Sequence, residues 1–498
     1  MKKRLYINSA ISLFYQICSV VIGLIIPRLI LQKYGSEING VVNSITQLLG
    51  FISLLDLGVG GVVQSALYKP LAEHDENKVS QIYSSATKYF NSIAKILLVY
   101  IFVLCLYYGL FKNDEFDWIF TTTLILVIAI NYFTQYYLGI CNTLLLNADQ
   151  RISIVTLINL FVLLINTVAT IVMLQLDISV QWVKLVSSCT FLLRSFLLAT
   201  YVKMKYSIKK IKNPPKGVIK NQWSGLAQHI AVSVTNSVDN LLLTMFGTFS
   251  MISIYNVYVL PLLSIRNLLE VTSNSYKSFF GRLIAKSEKE RLLIEFARYE
   301  MLLHYICTLI MGTTLVTLIP FVIVYTTGVN DVSYKNSLFC LMITLAYFMF
   351  MLRTIYTNVI FAAGKFKETQ IYSVIECLIN IVLSFILVFP LGFTGVAIGT
   401  VVSSFYRMAS SAWYLKKDIL ERSIVHFVKH MVIDFICFVP IIIVGQLFPF
   451  TGMGIIDLVL YAVEMFAVSF LSCTVIHCIA YFQQIYCIVN SLAKRIKR

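Results

Sequence analysis

The chain has 498 residues, of which 58% are hydrophobic and only 13% are charged, and its formal net charge is +16. An average soluble domain carries about 25% charged residues. Half of that share, together with a mean hydropathy of +0.81, excludes a soluble globular protein, a coiled coil and a disordered chain. The composition therefore indicates an all-α integral membrane protein.

Apolar stretches cover most of the chain. A membrane-spanning helix needs about 20 mostly apolar residues, and fourteen stretches are close to or above that length. The first follows a basic N-terminus, but Pro27 and Arg28 stand where a signal peptide would have small residues for cleavage, so it is interpreted as a retained helix. The predicted spans are 8–32, 38–66, 83–111, 118–146, 152–176, 180–202, 223–246, 252–276, 299–325, 336–361, 370–389, 393–415, 430–447 and 456–482.

The positive charges follow the order of these spans. Of the 40 Lys and Arg residues, 28 lie at the N-terminus, in alternate loops and in the C-terminal tail, three lie in the opposite loops, and nine lie within or at the ends of helices. Cytoplasmic loops carry an excess of Lys and Arg. The split therefore predicts that both termini are cytoplasmic, and it assigns the high net charge to topology rather than to nucleic acid.

The sequence also indicates a division into two lobes. A long loop, 203–222, contains Pro214-Pro215 and seven lysines and follows the sixth span. A faint repeat sets Tyr68–Leu71 against Tyr276–Phe279 at an offset of 208, and Leu146–Arg151 against Ala362–Lys367 at an offset of 216. We predict an N-terminal lobe at 1–202, a basic cytoplasmic linker at 203–222, a C-terminal lobe at 223–415, and two further helices with a basic tail at 416–498.

Motifs for enzyme chemistry are missing from the sequence. No GxxxxGK[ST] occurs, so the chain carries no nucleotide-hydrolysing motor of its own. His426 and His430 have the i, i+4 spacing of a zinc pair, but no HExxH motif or third ligand accompanies them, and an interfacial pair is the preferred interpretation. No metal, no cofactor and no catalytic residue is predicted.

Charged residues inside the spans are the most informative positions, because each costs at least about 2.5–3.5 kcal/mol at a helix centre. Arg266 and Glu270 are one helical turn apart. They form either a self-neutralising pair or the charged lining of a cavity. Near mid-depth the cations outnumber the acids, which suits an anionic cargo such as a phosphate or pyrophosphate. The residues near mid-depth are Asp56, Lys95, Arg194, Asp239, Arg266, Glu270 and Arg353, with Arg28 toward the outer end of its span and Glu376 and Arg407 toward the cytoplasm.

Short motifs recur through the first two predicted spans and the loop after them. They are Ile26-Pro27-Arg28-Leu29, Tyr34-Gly35, Asn39-Gly40, Gln47-Leu48-Leu49-Gly50-Phe51, Leu55-Asp56-Leu57-Gly58-Val59-Gly60 and Leu67-Tyr68-Lys69-Pro70-Leu71-Ala72. With these motifs, residues 8–90 resemble the start of the bacterial polysaccharide repeat-unit flippases, the O-antigen and capsule translocases of the superfamily that includes MATE drug exporters and the lipid II flippase. The length, the number of spans and the split after the sixth span extend the resemblance more loosely to the whole chain.

This resemblance implies two pseudo-symmetric six-helix lobes around a central cavity, plus two C-terminal helices. It implies a flippase that moves an undecaprenyl-pyrophosphate-linked oligosaccharide from the inner to the outer leaflet of the bacterial cytoplasmic membrane, by alternating access driven by an ion gradient of H⁺ or Na⁺ or by the membrane potential. The partners implied are membrane lipids, a polysaccharide polymerase and a chain-length regulator. In that family helices 1, 2, 7 and 8 face the cavity, which here selects Arg28, Asp56, Asp239, Arg266 and Glu270.

Three classes of function stay open: a lipid-linked oligosaccharide flippase, a MATE-like exporter of drugs or other amphiphiles, and a membrane-embedded polysaccharide polymerase or ligase. A cationic-drug exporter should have an acidic cavity, whereas the cations outnumber the acids here. A polymerase should have a large external loop, and the predicted external loops are short. The flippase is therefore preferred, and enzyme activity is not expected.

We predict two sets of site residues for this function. The predicted substrate-binding residues are Arg28, Arg266, Arg353, Lys95 and Arg194, and the predicted ion-coupling residues are Asp239, Asp56 and Glu270.

Overall fold

The computed structural model describes residues 2–56, 59–112, 115–209, 211 and 226–482, and these residues form helices without any strand. A 3₁₀ segment, Phe51–Asp56, follows the first helix, and π-helical turns lie at Gln135–Gly139 and Lys416–Leu420. The helices are α1 (Lys2–Gly50), α2 (Val59–Ala72), α3 (Glu76–Phe111), α4 (Trp118–Thr134), α5 (Ile140–Ala148), α6 (Ile152–Gln175), α7 (Val180–Lys205), α8 (Leu226–Phe246), α9 (Phe249–Ala285), α10 (Lys289–Tyr325), α11 (Ser337–Ala362), α12 (Phe366–Leu391), α13 (Phe393–Leu415), α14 (Val425–Leu447) and α15 (Ile455–Ala480).

Eleven helical segments in the described residues are long and apolar enough to cross a membrane. The chain is therefore a multi-pass membrane protein. The predicted spans 8–32 and 38–66 fall largely within one of the eleven segments, Ile11–Asp56. The predicted spans 223–246 and 393–415 also coincide with helical residues where the structure describes them, but they are not among the eleven. The first of these two is described only from residue 226, and the second, α13, is rich in Ser, Thr and Gly.

The first helix bends at Gly35, where the sequence predicts a break between spans. Gly35 has a φ of 81°, a conformation that residues with a Cβ rarely adopt. Next to the bend, Lys33 donates hydrogen bonds to the carbonyl oxygens of Leu174 at 2.8 Å and Leu176 at 2.9 Å, and it pairs with Asp177 at 2.9 Å. The Lys33 ammonium lowers the pKa of the Asp177 carboxyl through this hydrogen bond. These contacts attach the bend to the end of α6.

The chain divides into two compact units, Met1–Ser253 and Ile254–Arg498. In the first unit α6 packs against α1 and α7, and α4 packs against α3 and α7. In the second unit α13 packs against both α11 and α12, and α10 packs against α11, α14 and α15. Most of the linker predicted at 203–222 lies outside the described residues, so the predicted lobe boundaries stay a prediction.

The helix ends of the two units repeat along the sequence. α2 ends at Ala72 and α9 ends at Ala285, which sets the two ends at an offset of 213. The turn after each of these helices contains a residue with positive φ, His74 at 55° and Ser287 at 56°, and these two residues have the same offset as the helix ends. The offset of 208 predicted for this region is therefore wrong by five residues. That offset was chosen to match Tyr and Lys residues in the two segments, whereas the turn after each helix defines the alignment more reliably.

A second turn repeats in the same way. α5 ends at Ala148 and α11 ends at Ala362, which is an offset of 214, and the positive-φ residues that follow are Gln150 at 57° and Gly364 at 73°. The predicted offset of 216 aligned the correct turn but placed it two residues out of register. The recurrence of helix ends and turn geometry supports an internal repeat that the letters of the sequence show only faintly.

Candidate functional site

Charged side chains link four helices inside the second unit. On α9, Arg266 Nε donates to Glu270 Oε1 at 2.9 Å, as the spacing of one helical turn predicts. The Arg266 side chain is 15% exposed and that of Glu270 is 36% exposed, so this pair forms the accessible end of the group. The remaining members lie on α11, α12 and α13.

An aromatic ring connects this pair to the next arginine. The guanidinium carbon of Arg266 lies 3.5 Å from the ring centroid of Phe350, and that of Arg353 lies 3.6 Å from the same centroid. Two planar groups this close to one centroid cannot share a face, so the Phe350 ring is sandwiched between them. Such cation–π contacts stabilise guanidinium groups that have left water.

Arg353 is held from its other side by an acid. Arg353 on α11 forms an ion pair with Glu376 on α12, and Glu376 Oε2 also lies 3.8 Å from Arg407 Nε on α13. Arg407 Nη1 donates to the carbonyl oxygen of Thr369 at 3.1 Å. All three charged side chains are at most 10% exposed. Because a lone buried charge is costly, these three side chains compensate one another as an ion-pair network, and the predicted substrate role of Arg353 stays a prediction.

The other predicted site residues lie on separate elements of the first unit. Asp56 ends the 3₁₀ segment and accepts a hydrogen bond from the backbone N–H of Gly60 at 3.3 Å, and Asp239 is buried on α8 at 7% exposure. Arg28 is half-buried on α1, and Lys95 is exposed on α3. These placements leave the predicted roles as predictions.

Arg194 on α7 is half-buried, and its Nε makes no hydrogen bond within the described residues. A guanidinium in the middle of an apolar helix without such a partner at Nε is consistent with the predicted contact to an anionic group. It is also consistent with an arginine that extends toward the membrane surface.

A buried polar cluster between α10 and α14 was missed by the sequence analysis. Glu300 and His304 on α10 face His430 and Asp434 on α14, and all four are at most 5% exposed. The interpretation of His426 and His430 as an interfacial pair is therefore wrong for His430, because α10 and α15 cover it, whereas His426 is exposed. The signal that could have found the cluster is an acid and a histidine at i, i+4 on each of two apolar helices.

A second polar cluster lies at the end of α5, α6 and α7. Asp149 Oδ2 accepts hydrogen bonds from Arg151 Nε at 2.6 Å and from the Tyr206 hydroxyl at 2.5 Å, and Arg151 Nη1 donates to Tyr201 at 3.0 Å. The hydrogen bond to Asp149 raises the pKa of Arg151, and burial, followed by the bond to Asp149, raises the pKa of Tyr206. A cavity of about 330 Å³ opens beside these groups.

Within the described part of the chain, no three His, Cys, Asp or Glu side chains are arranged to hold a metal ion. The charged groups described above are guanidinium, carboxylate and imidazole groups in apolar surroundings, which can bind anions, exchange protons and form ion pairs.

The fold is that of a known class of membrane transporters. The chain superposes on the lipid II flippase MurJ in its inward closed conformation with a TM-score of 0.73 and 16% identity, over 96% of this chain and 99% of the other. It matches an inward-facing MATE family transporter of the MOP superfamily with a TM-score of 0.61 and 11% identity, over 81% and 96%. It matches the MATE multidrug transporter DinF-BH with a TM-score of 0.55 and 14% identity, over 84% and 97%.

These neighbours confirm, at the level of fold, the resemblance that the first part of the sequence predicts. The chain has the fold that MurJ and the MATE transporters share. No family model matches the sequence, and no curated protein matches it. At such low sequence identities, the neighbours define the architecture and leave the substrate to be argued from this chain's own residues.

Proposed function

We propose that the protein is a flippase that moves an undecaprenyl-pyrophosphate-linked oligosaccharide from the inner to the outer leaflet by alternating access. The fold it shares with a protein named as a lipid II flippase supports transport of a lipid-linked substrate.

The observation that carries the proposal is the charge balance of the group around Phe350. Three arginines, Arg266, Arg353 and Arg407, accompany two acids, Glu270 and Glu376, among the described residues of this group. The arginine at its accessible end is Arg266. An excess positive charge in apolar surroundings is stabilised by an anion, and a guanidinium can hold two oxygens of a phosphate at once.

The proposal includes fourteen spans with both termini in the cytoplasm of a bacterial cell. The pairing of α10 with α14 supports this count: Glu300 contacts His430, and His304 contacts Asp434, so the two helices run in the same direction. α11 and α12 each cross the membrane by length and composition. α14 can then run parallel to α10 only if α13 also crosses, although α13 is not among the eleven long apolar helices.

The test of the proposed function is a transport measurement in proteoliposomes. A fluorescent undecaprenyl-pyrophosphate oligosaccharide is placed in one leaflet, and its arrival in the other is followed by quenching with an impermeant reagent. We expect movement that depends on the protein and that an excess of unlabelled pyrophosphate-linked lipid reduces. Movement of a cationic dye such as rhodamine, with no movement of the lipid, would instead support the MATE-like exporter and reject the flippase.

A further inference from the structure

The buried cluster between α10 and α14 contains two contacts between a histidine and a carboxylate. His304 Nδ1 lies 2.6 Å from Asp434 Oδ2, and His430 Nε2 lies 3.4 Å from Glu300 Oε2. The two imidazole rings stack on each other with centroids 4.7 Å apart and an interplanar angle of 24°. The side chains of His304, Glu300 and Asp434 have no exposure, and that of His430 has 6%.

Each imidazole also contacts a phenol at its other nitrogen. His304 Nε2 lies 3.0 Å from the Tyr356 hydroxyl, and His430 Nδ1 lies 2.5 Å from the Tyr481 hydroxyl. Neutral His304 is satisfied there, since Nδ1–H donates to the Asp434 carboxylate and Nε2 accepts from the Tyr356 phenol, and a His304 imidazolium is satisfied as well, because both N–H groups then donate. At His430, Nδ1 accepts from the Tyr481 phenol, whereas Nε2 is in charge-contact range of Glu300 Oε2, an oxygen that makes no hydrogen bond within the described residues. The surroundings of His304 therefore accommodate either protonation state.

The charges around the rings do not balance when both are neutral. Glu300 and Asp434 contribute two negative charges, and Arg422 contributes one positive charge through a hydrogen bond from Nη2 to Glu300 Oε1 at 2.6 Å. Lys429, which donates to the carbonyl oxygen of Ala480 at 3.0 Å, is exposed, and its ammonium lies 4.6 Å from the centroid of the Tyr481 ring. The buried groups therefore carry one net negative charge, which is costly in a low-dielectric interior.

The third histidine of this region does not supply the missing proton. His477 on α15 lies with Nδ1 2.9 Å from the Cys473 carbonyl oxygen. A carbonyl oxygen only accepts, so Nδ1 carries the hydrogen, and His477 Nε2 makes no hydrogen bond in the described residues. Among the described residues, the buried thiols of Cys307, Cys437 and Cys473 also lie close to the cluster, where they act as neutral packing groups.

We propose that the stacked His304 and His430 rings form a binding site for one exchangeable proton. One proton neutralises the cluster, and a second would place two positive rings 4.7 Å apart. In the uptake step at His304, a hydronium ion transfers a proton to Nε2, so that one of its O–H bonds breaks and it leaves as water. The new N–H then donates to the Tyr356 oxygen, and the Tyr356 O–H turns away from the ring. Because the two rings are stacked, they titrate as a coupled pair and bind one proton between them.

This site is separate from the predicted ion-coupling acids and does not rest on the proposed function. It joins α14 and α15 to α10, since Tyr481 follows α15 directly and Asp434 also accepts a hydrogen bond from Thr308 at 2.8 Å. Loss of the proton leaves an uncompensated charge between these helices. The bound proton therefore strengthens the contact of α14 and α15 with α10.

The test is solid-state NMR of the full chain in lipid, with ¹⁵N-labelled histidine, because the ring nitrogen shifts distinguish neutral imidazole from imidazolium. The chain has six histidines, and His304→Gln and His430→Gln assign the two signals. Between about pH 5 and pH 8 we expect the pair to bind a single proton in total and to release it as the pH rises. Two neutral rings, or two charged rings, over this whole range would overturn the proposal.

Asp434→Asn supplies the second measurement. It removes one negative charge, so both rings should stay neutral at a pH where the unmodified protein holds the proton. His426→Gln is the matched control, since His426 is exposed on the same helix outside the cluster, and it should leave the titration of the pair unchanged. A titration of the pair that is the same in Asp434→Asn as in the unmodified protein would contradict the charge argument.

Discussion

Arg353 and Glu376 form an ion pair that is almost completely enclosed, with side-chain exposures of 10% and 1%. The two residues lie on different helices, α11 and α12, and Arg407 on α13 approaches the same carboxylate. Glu376 is therefore the acid that both buried arginines, Arg353 and Arg407, approach. This arrangement makes the pair part of the frame of the second unit and leaves Arg266 as the accessible cation.

The first prediction concerns the stability of this frame. Glu376→Gln leaves Arg353 without its anion in a low-dielectric interior, which is expected to cost about 3–5 kcal/mol. Glu368→Gln on the same helix is the control, because Glu368 is half-exposed and pairs with Lys365 at 3.3 Å, a type of pair worth about 0–1 kcal/mol. We expect a lower thermal unfolding midpoint for Glu376→Gln only. Equal midpoints for the two variants would show that the buried pair adds no stability.

The sequence predicted where helices lie because an apolar stretch of spanning length has few other stable structures in a membrane. It also marked Arg266, Glu270, Arg353, Glu376 and Arg407 as costly charges. The helical period relates Arg266 to Glu270, which are four residues apart, and the structure contains that pair. The helical period shows which residues share a face of one helix, but it does not show which helices pack against that face. The contact of Arg353 with Glu376 on another helix, and its stacking on Phe350, could therefore not be predicted from one sequence.

The cluster at His304 shows a second reason for the limits of sequence reading. His304 and Asp434 are 130 residues apart, and each stands on a strongly apolar helix where one polar residue is unremarkable. Only helix packing brings the two i, i+4 pairs together. The two predicted offsets of the internal repeat were wrong for a related reason. Helix ends and turn conformations are repeated in the two units, whereas the side chains at matching positions differ.

The second prediction is topology. With fourteen spans and cytoplasmic termini, the loop after α10 faces outward and the loop after α9 faces the cytoplasm. Asn330→Cys and Lys286→Cys place single thiols in these loops in a background without native cysteines, and both positions are exposed. An impermeant maleimide added to intact cells is expected to label position 330 and not position 286. Labelling of position 286 from outside would reject the orientation.

The third prediction concerns ion coupling. Asp239 on α8 is 7% exposed, and we propose that its carboxylate binds the coupling H⁺ or Na⁺, because burial disfavours the charged carboxylate relative to its protonated or ion-bound form. Asparagine has the same shape but cannot exchange a proton or carry the charge. Asp239→Asn should therefore lose nearly all gradient-driven transport in vesicles while its expression stays normal.

The control for this prediction is Asp331→Asn, a change to an exposed aspartate in the loop after α10. It should leave transport and its ion dependence unchanged. If Asp239→Asn retains the ion dependence of the unmodified protein, the coupling residue lies elsewhere, with Asp56 and Glu270 as the remaining predicted acids.

The fourth prediction is the substrate site at Arg266. A charge-assisted hydrogen bond is worth about 1.5–3 kcal/mol, so losing the phosphate contact should reduce transport roughly ten- to hundredfold. We expect Arg266→Ala to lose nearly all activity and Arg266→Lys to lose much of it, because an ammonium cannot hold two phosphate oxygens in one plane. The measurement is surface polysaccharide in a flippase-deleted strain complemented with each variant.

Two alternatives for Arg266 can be separated by further variants. The arginine stacks on Phe350, so Phe350→Leu tests a packing role: it removes the ring and keeps the guanidinium. A substrate role predicts a smaller loss for Phe350→Leu than for Arg266→Lys, since the leucine variant can still bind phosphate. The second alternative is that Arg266 exists only to neutralise Glu270. In that case, removing both charges with Arg266→Gln and Glu270→Gln should restore surface polysaccharide. We expect the double variant to stay inactive, because the pyrophosphate needs the guanidinium itself. Full rescue by the double variant would exclude Arg266 from substrate binding and leave Arg28 and Arg353 as the candidates.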